Sequence, residues 1–312
     1  MSLLYQESLP GVWRIDVSHP APQYSCCYLI VEKGASALVD CGAKNGIATI
    51  MDTLAAQQIA PEQVQWIIVT HAHLDHAGAA AQLMQLFPNA TLAGHPSAIK
   101  HLINPHKKLV PGVTKLYGKK WFDEQYGELL PINATRTRIL ADGESVMLDA
   151  KRQLTALYTP GHAWHHLSVY DATRDTFYAG DAYGVSYYQQ GNNALIFPVM
   201  PPTQFDPTAM ETSLRKLQAL NTKWAALAHY GVIPNTATIA ELQIESMYEW
   251  IALAEPIANE NGFVTTFRTQ LNTWFAEVAA KKGFDNDISR HHHDISLTVA
   301  GFAHWLEQRN TN

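Results

Sequence analysis

The chain has 312 residues, 47% of them hydrophobic and 16% charged, which is enough apolar material for a full core and too little charge for a disordered chain. A formal net charge of −6 argues against a surface built to coat nucleic acid. No run of about 18 apolar residues occurs, so no membrane span is expected. The opening Met-Ser-Leu-Leu-Tyr-Gln-Glu lacks the basic and apolar regions of a secretion signal, and a cytoplasmic location is the expectation. Three cysteines, Cys26, Cys27 and Cys41, are too few for a disulfide framework and read as reduced structural thiols.

In chain order, residues 13–17 read as a strand, and residues 27–31 and 37–40 flank a Glu32-Lys33-Gly34 hairpin turn. Helical spacing over residues 47–58 completes a meander followed by a helix. Residues 66–69 form a short apolar, β-branched run, and residues 79–86 return to helical spacing. Residues 96–135 break the pattern, with Lys100, Lys107, Lys108, Lys115, Lys119 and Lys120 set among Pro105, Pro111 and Pro131. This stretch is expected to be a partly helical insertion or lid. Strands resume at 137–140 and 145–148 around Asp142-Gly143, and again at 154–158, 167–170 and 176–179. Asp206-Pro207 reads as an N-cap with Pro at the first helical position, opening a helix with Met210, Leu214 and Leu217 on one face. A short strand at 224–228 follows. Beyond residue 235 the pattern is helical, giving a catalytic domain over 1–235 and a helical extension over 236–312. Phe263, Phe267, Leu271 and Phe275 recur along one face, which reads as core packing or a homodimer contact.

The densest chemistry lies at residues 70–78, Thr-His-Ala-His-Leu-Asp-His-Ala-Gly. Three imidazoles, His71, His73 and His76, and the Asp75 carboxylate fall within six positions between a strand and a helix. Open α/β sheets bind ligands at that strand end. Imidazole with carboxylate suits zinc and related ions. The alternative is a His-rich helix start capped by Asp75, which leaves the coincidence of four coordinating types unexplained. Three later strand ends carry further ligand types beside a glycine: Thr159-Pro160-Gly161-His162, Gly180-Asp181 and His229-Tyr230-Gly231. Each alone is weak, because a single strand-end histidine is more often structural.

The set His71, His73, Asp75, His76, His162, Asp181 and His229, in this order, resembles the metallo-β-lactamase superfamily over roughly residues 10–235. The likeness is nearest to its glyoxalase II-like and lactonase-like hydrolases. It implies an α/β fold, a four-layer αβ/βα sandwich, followed here by the all-helical C-terminal extension. It implies two divalent metal ions, with zinc expected and iron or manganese as alternatives. His71, His73 and His162 would bind the first ion and Asp75, His76 and His229 the second, with Asp181 bridging. By the same likeness Asp40 would orient ligands from behind, and His166 matches a histidine of the family that is not a ligand. His165 has no clear counterpart.

The function so implied is hydrolysis of an ester-like bond, a thioester or lactone, in a small-molecule substrate by a metal-bridging hydroxide. Asp75 would hold the second ion near the leaving group. Tyr183 is a candidate hydrogen-bond donor to the transition state, with a core tyrosine the equal alternative. True β-lactamases of the superfamily are expected to carry cysteine where Asp181 stands. A phosphodiesterase or nuclease is the main rival, disfavoured by the acidic balance. A non-enzymatic metal-binding protein would need a closed coordination sphere. Among the other histidines, His95 could face the cleft, His101 and His106 belong to the lid, and His291-His292-His293 reads as an exposed helix start.

Overall fold

The computed structural model describes residues 4–190, 193–284 and 289–311. An antiparallel meander opens the chain: β1 (Tyr5–Leu9), β2 (Val12–Asp16), β3 (Cys26–Glu32) and β4 (Ala35–Val39). From β4 the connections become crossovers, as parallel pairing demands. Helix α1 (Gly46–Ala56) leads to β5 (Val64–Val69), and α2 (Leu74–Ala77) with α3 (Ala80–Leu86) leads to β6 (Thr91–Gly94). Helices α4 (Pro96–Ile103), α5 (Leu109–Tyr117) and α6 (Lys119–Gln125) then lead to β7 (Thr137–Ile139). The seven strands form one sheet in sequence order, parallel from β4 to β7.

The second sheet begins with β8 (Ser145–Met147), β9 (Gln153–Tyr158), β10 (Leu167–Asp171) and β11 (Thr176–Tyr178), all antiparallel neighbours. A separate hairpin, β12 (Val185–Gln190) and β13 (Asn193–Phe197), and helix α7 (Pro207–Gln218) intervene. Strand β14 (Trp224–Leu227) then pairs in parallel with β11, and β15 (Gly231–Pro234) closes the order β15-β14-β11-β10-β9-β8. The rest is helical: α8 (Ile239–Ala254), α9 (Phe263–Lys281) and α10 (His292–Thr311). The mixed α/β sheets with helices and a C-terminal helical extension agree with the sequence expectation.

Period-two alternation explains where the core sits. On β5, Ile67 and Val69 join Leu38, Leu92 and the helix residues Ile50, Leu54, Leu83 and Met84 in one cluster. Ile68, between them, faces the other way and meets Leu154, Val169 and Ala226 of the second sheet. A strand apolar on both faces must be covered on both faces, which is what its continuous run in the sequence anticipates.

By internal contacts the chain divides into two compact units. One comprises the residues up to Tyr158, 165–180 and 222–232; the other comprises 159–164, 181–221 and the residues from Ile233 onward. In the second unit the aromatic stripe is used internally. Phe275 lies against Phe197 (centroids 4.3 Å apart) and Trp250 (5.3 Å), and Phe267 against Phe302 (5.1 Å).

Sequence patterns miss β1, β6, the β12–β13 hairpin and β15. The Asp142-Gly143 turn connects the two sheets: β7 pairs with β6 in the first and β8 with β9 in the second. At short range, a turn between paired strands and a turn between sheets look alike.

Candidate metal centre

Strand direction brings the chemistry to one end of each sheet. Parallel β4, β5 and β6 end just before Asp40, Thr70-His71 and His95. In the second sheet β9, β11 and β14 run the same way and end before His162, Asp181 and His229. Two sets of candidate donors follow, a first of His71, His73, His162 and Asp181 and a second of Asp75, His76 and His229; the ligand atoms of the second all lie within 4.8 Å of one another. Five of these seven side chains are buried; His73 and Asp75 are partly open.

Within the second group, His76 Nε2 stands 3.4 Å from Asp75 Oδ2, and His229 Nε2 is 3.5 Å from the same oxygen. The two Nε2 atoms are 3.3 Å apart. In the first group, His162 Nε2 is 3.1 Å from Asp181 Oδ2. The ring of His71 links the groups, with centroid distances of 4.4 Å to His73 and 4.2 Å to His76.

The tautomers favour cation binding. His229 Nδ1 faces the Tyr24 carbonyl at 2.7 Å and His162 Nδ1 faces the Val199 carbonyl at 3.1 Å. A carbonyl only accepts, so the proton sits on Nδ1 and the Nε2 lone pair points into the group. His76 Nδ1 donates likewise to Asp40 Oδ2 at 2.9 Å. Metal-ligating imidazoles are oriented in this way by a partner on the far nitrogen. Imidazole and carboxylate donors so arranged fit divalent metal ions.

Asp40 holds more than one ring. Its Oδ1 accepts from the Thr70 backbone N–H (2.8 Å), and both its oxygens accept from the Thr70 hydroxyl at 3.0 Å. Thr70 Oγ1 lies 3.1 Å from His71 Nδ1. One carboxylate thus orients an imidazole of each group, His76 directly and His71 through Thr70. Asp40 is expected from the sequence and Thr70 is not, although a β-branched hydroxyl residue at the strand end is a visible signal.

His166 is buried with its ring 4.9 Å from that of His71. Gly180, at φ +53°, leaves room for it: a Cβ there would stand 2.5 Å from His166 Nε2 and 2.8 Å from the Thr70 side chain. His165 is also buried and accepts from the Ala72 N–H at 3.4 Å.

Other sequence candidates lie elsewhere. His95 caps α4, accepting from the Ser97 N–H at 3.1 Å, and its ring lies near that of Tyr158. Tyr183 is fully buried, with its hydroxyl 2.7 Å from Gln218 Oε1 and 2.8 Å from Asn235 Oδ1, the packing of a core tyrosine. The exposed-start reading of the 291–293 tract needs correction at its first residue. His292 and His293 are exposed, but His291 is buried among Tyr187, Phe197 and Phe275, because the turn before α10 directs it into the aromatic cluster.

A family model for the metallo-beta-lactamase superfamily matches residues 21–229. The chain belongs to the metallo-β-lactamase superfamily. Members of this superfamily are generally hydrolases. Among curated relatives, the chain is 26% identical over 215 residues to a metallo-beta-lactamase fold-containing protein, ST1585, of Sulfurisphaera tokodaii, covering 68% of this chain and 75% of that one. It is 31% identical over 119 residues to the N-acyl homoserine lactonase AttM of Rhizobium radiobacter, covering 38% and 40% respectively. The crystal structure of a metallo-beta-lactamase family protein from Thermus thermophilus, TTHA1429, superposes with a TM-score of 0.67 at 21% identity, over 97% of this chain and 95% of that one. That last likeness speaks to the fold.

Proposed function

We propose that the chain is a dinuclear metal-dependent hydrolase of an ester-like bond, a thioester or lactone, in a small molecule. The observation that carries this is the pair of convergent donor groups whose Nε2 lone pairs are aimed inward by partners on Nδ1. His71, His73 and His162 would hold one ion, Asp75, His76 and His229 the other, and Asp181 would join them. Ions of this class supply Lewis acidity and lower the pKa of a coordinated water towards 7, from about 15.7 in bulk.

The chain's own residues do the rest. Asp40 and Thr70 fix the rings of His76 and His71, so that little reorganisation is needed when a substrate arrives. Asp75 would supply negative charge to the second ion. No covalent nucleophile is called for. Cys41 is fully buried, and burial followed by the Asp40 charge pushes its thiol far above the ordinary range. The lactone arm of the proposal gains support from the partial likeness to AttM, an N-acyl homoserine lactonase.

The test is metal analysis together with a substrate screen. The purified chain should carry about two equivalents of metal, and His76→Ala should lose metal and activity together. An acyl homoserine lactone and S-lactoylglutathione should be turned over, against a phosphodiester and a cephalosporin as contrasts. Turnover of the phosphodiester alone would overturn the proposal.

A further inference from the structure

Helix α5 has a composition at odds with its burial. Leu109, Val110, Pro111, Val113, Leu116 and Tyr117 make six of its nine residues apolar or aromatic; Leu109, Val110 and Val113 are half-buried against a core cluster, and Pro111, Leu116 and Tyr117 are exposed. Leu116 is 50% exposed and Tyr117 36%. Neighbouring exposed apolar side chains of this kind mark a surface that something covers in use. Beside α5 lies a cavity of about 480 Å³, a size common for small-molecule sites. Val110, Pro111 and Phe122 supply its apolar lining, and His106, Lys115 and Lys119 its basic groups.

A buried cluster ties this cavity to the metal loop. Phe122 belongs to a buried cluster with Tyr126, Leu129, Ala43 and Leu74, and Leu74 stands between His73 and Asp75 in the sequence. The charge of the segment is also distinctive. Residues 96–125 hold six lysines against two carboxylates, in a chain of net charge −6. Apolar lining, a basic rim and connection to the metal loop together select one kind of occupant.

We propose that α5 and the cavity beside it bind an apolar, negatively charged tail of the substrate, in practice an acyl chain bearing an anionic group. The identification of that tail as part of a substrate rests on the hydrolase reading above; the binding itself does not.

The probe is decanoate, titrated calorimetrically into the full-length chain after chelator treatment, so that binding is read without turnover and without metal–carboxylate contact. Saturable binding is expected, tightening roughly fourfold per added methylene across octanoate, decanoate and dodecanoate. Decyltrimethylammonium should bind at least tenfold more weakly. Val110→Asp should abolish decanoate binding and Lys115→Glu should weaken it several-fold. Val110→Ser serves as the milder variant should the aspartate disturb folding, with circular dichroism as the check on both. No saturable binding, equal affinity for the cationic probe, or binding indifferent to both Val110 variants would overturn the inference. Attachment to anionic vesicles in place of monomeric decanoate would overturn it in favour of a membrane-docking surface. If decanoate binds as stated while the ester and lactone screen is blank, the hydrolase reading fails and this site stands. If esters turn over while decanoate does not bind, the reverse holds.

Discussion

At the scale of single residues, Asp40 is where one substitution separates orientation from coordination. It touches both donor groups through His76 and Thr70 without being in either. Asp40→Asn should leave the fold intact and weaken metal affinity about 10- to 100-fold, as removal of such supporting partners does elsewhere. Competition with a chromophoric chelator measures it, and an unchanged affinity would remove Asp40 from the scheme. Away from the centre, Arg152 Nη2 donates to Asp171 Oδ2 at 2.6 Å, and both side chains are almost wholly buried. Asp171→Ala leaves a buried guanidinium uncompensated, apart from Glu32 at 3.3 Å, and should cost about 3–5 kcal/mol in urea unfolding. This pair is invisible in the sequence because its partners are 19 positions apart and nothing local marks them. The candidate donors are legible because they cluster in sequence and follow strand ends. Tyr183 and His291 show the limit: residue type suggests a role, and burial decides it.

At the scale of elements, patterns with a strong local cause are reproduced. The Asp206 side chain caps α7 by accepting from the Ala209 N–H at 2.9 Å, with Pro207 at the first helical position. Asp206→Ala should destabilise by about 1 kcal/mol, read as a shift in the denaturant midpoint at unchanged slope. The entry to that helix is also fixed by Gly161, at φ +133°, where a Cβ would stand 2.4 Å from the Met210 Cα. A side chain at 161 therefore pushes the backbone of α7, and with it the loop that carries His162. Elements without such local causes are not legible. The four residues of β6 are too short to show periodicity, and only pairing with neighbours makes them a strand, whereas the equally short β7 and β8 are read from their residue types and the turn between them. The insertion at 96–135 reads as partly helical, but its connection to the metal loop is hidden, since the cluster joining Phe122 to Leu74 is long-range.

At the scale of the whole molecule, four buried imidazoles, those of His71, His76, His162 and His229, and two buried carboxylates, Asp40 and Asp181, follow the ends of strands. Packing does not explain so many buried polar rings at the ends of two otherwise apolar sheets, and cation binding does. Ions that bind the folded chain and not the unfolded one stabilise it by mass action. At a free metal concentration a thousand times the dissociation constant, one ion adds about 4 kcal/mol. For a chain of this length that corresponds to a rise of about 6 °C in Tm, taking the usual unfolding entropy per residue. Chelation should lower Tm by that amount or more, and zinc should restore it with a plateau near two equivalents per chain. His76→Ala and His162→Ala should each shift the plateau, because each removes a donor from a different group. Melting indifferent to chelator, in a preparation containing no metal, would mean that the convergent donors serve some other purpose.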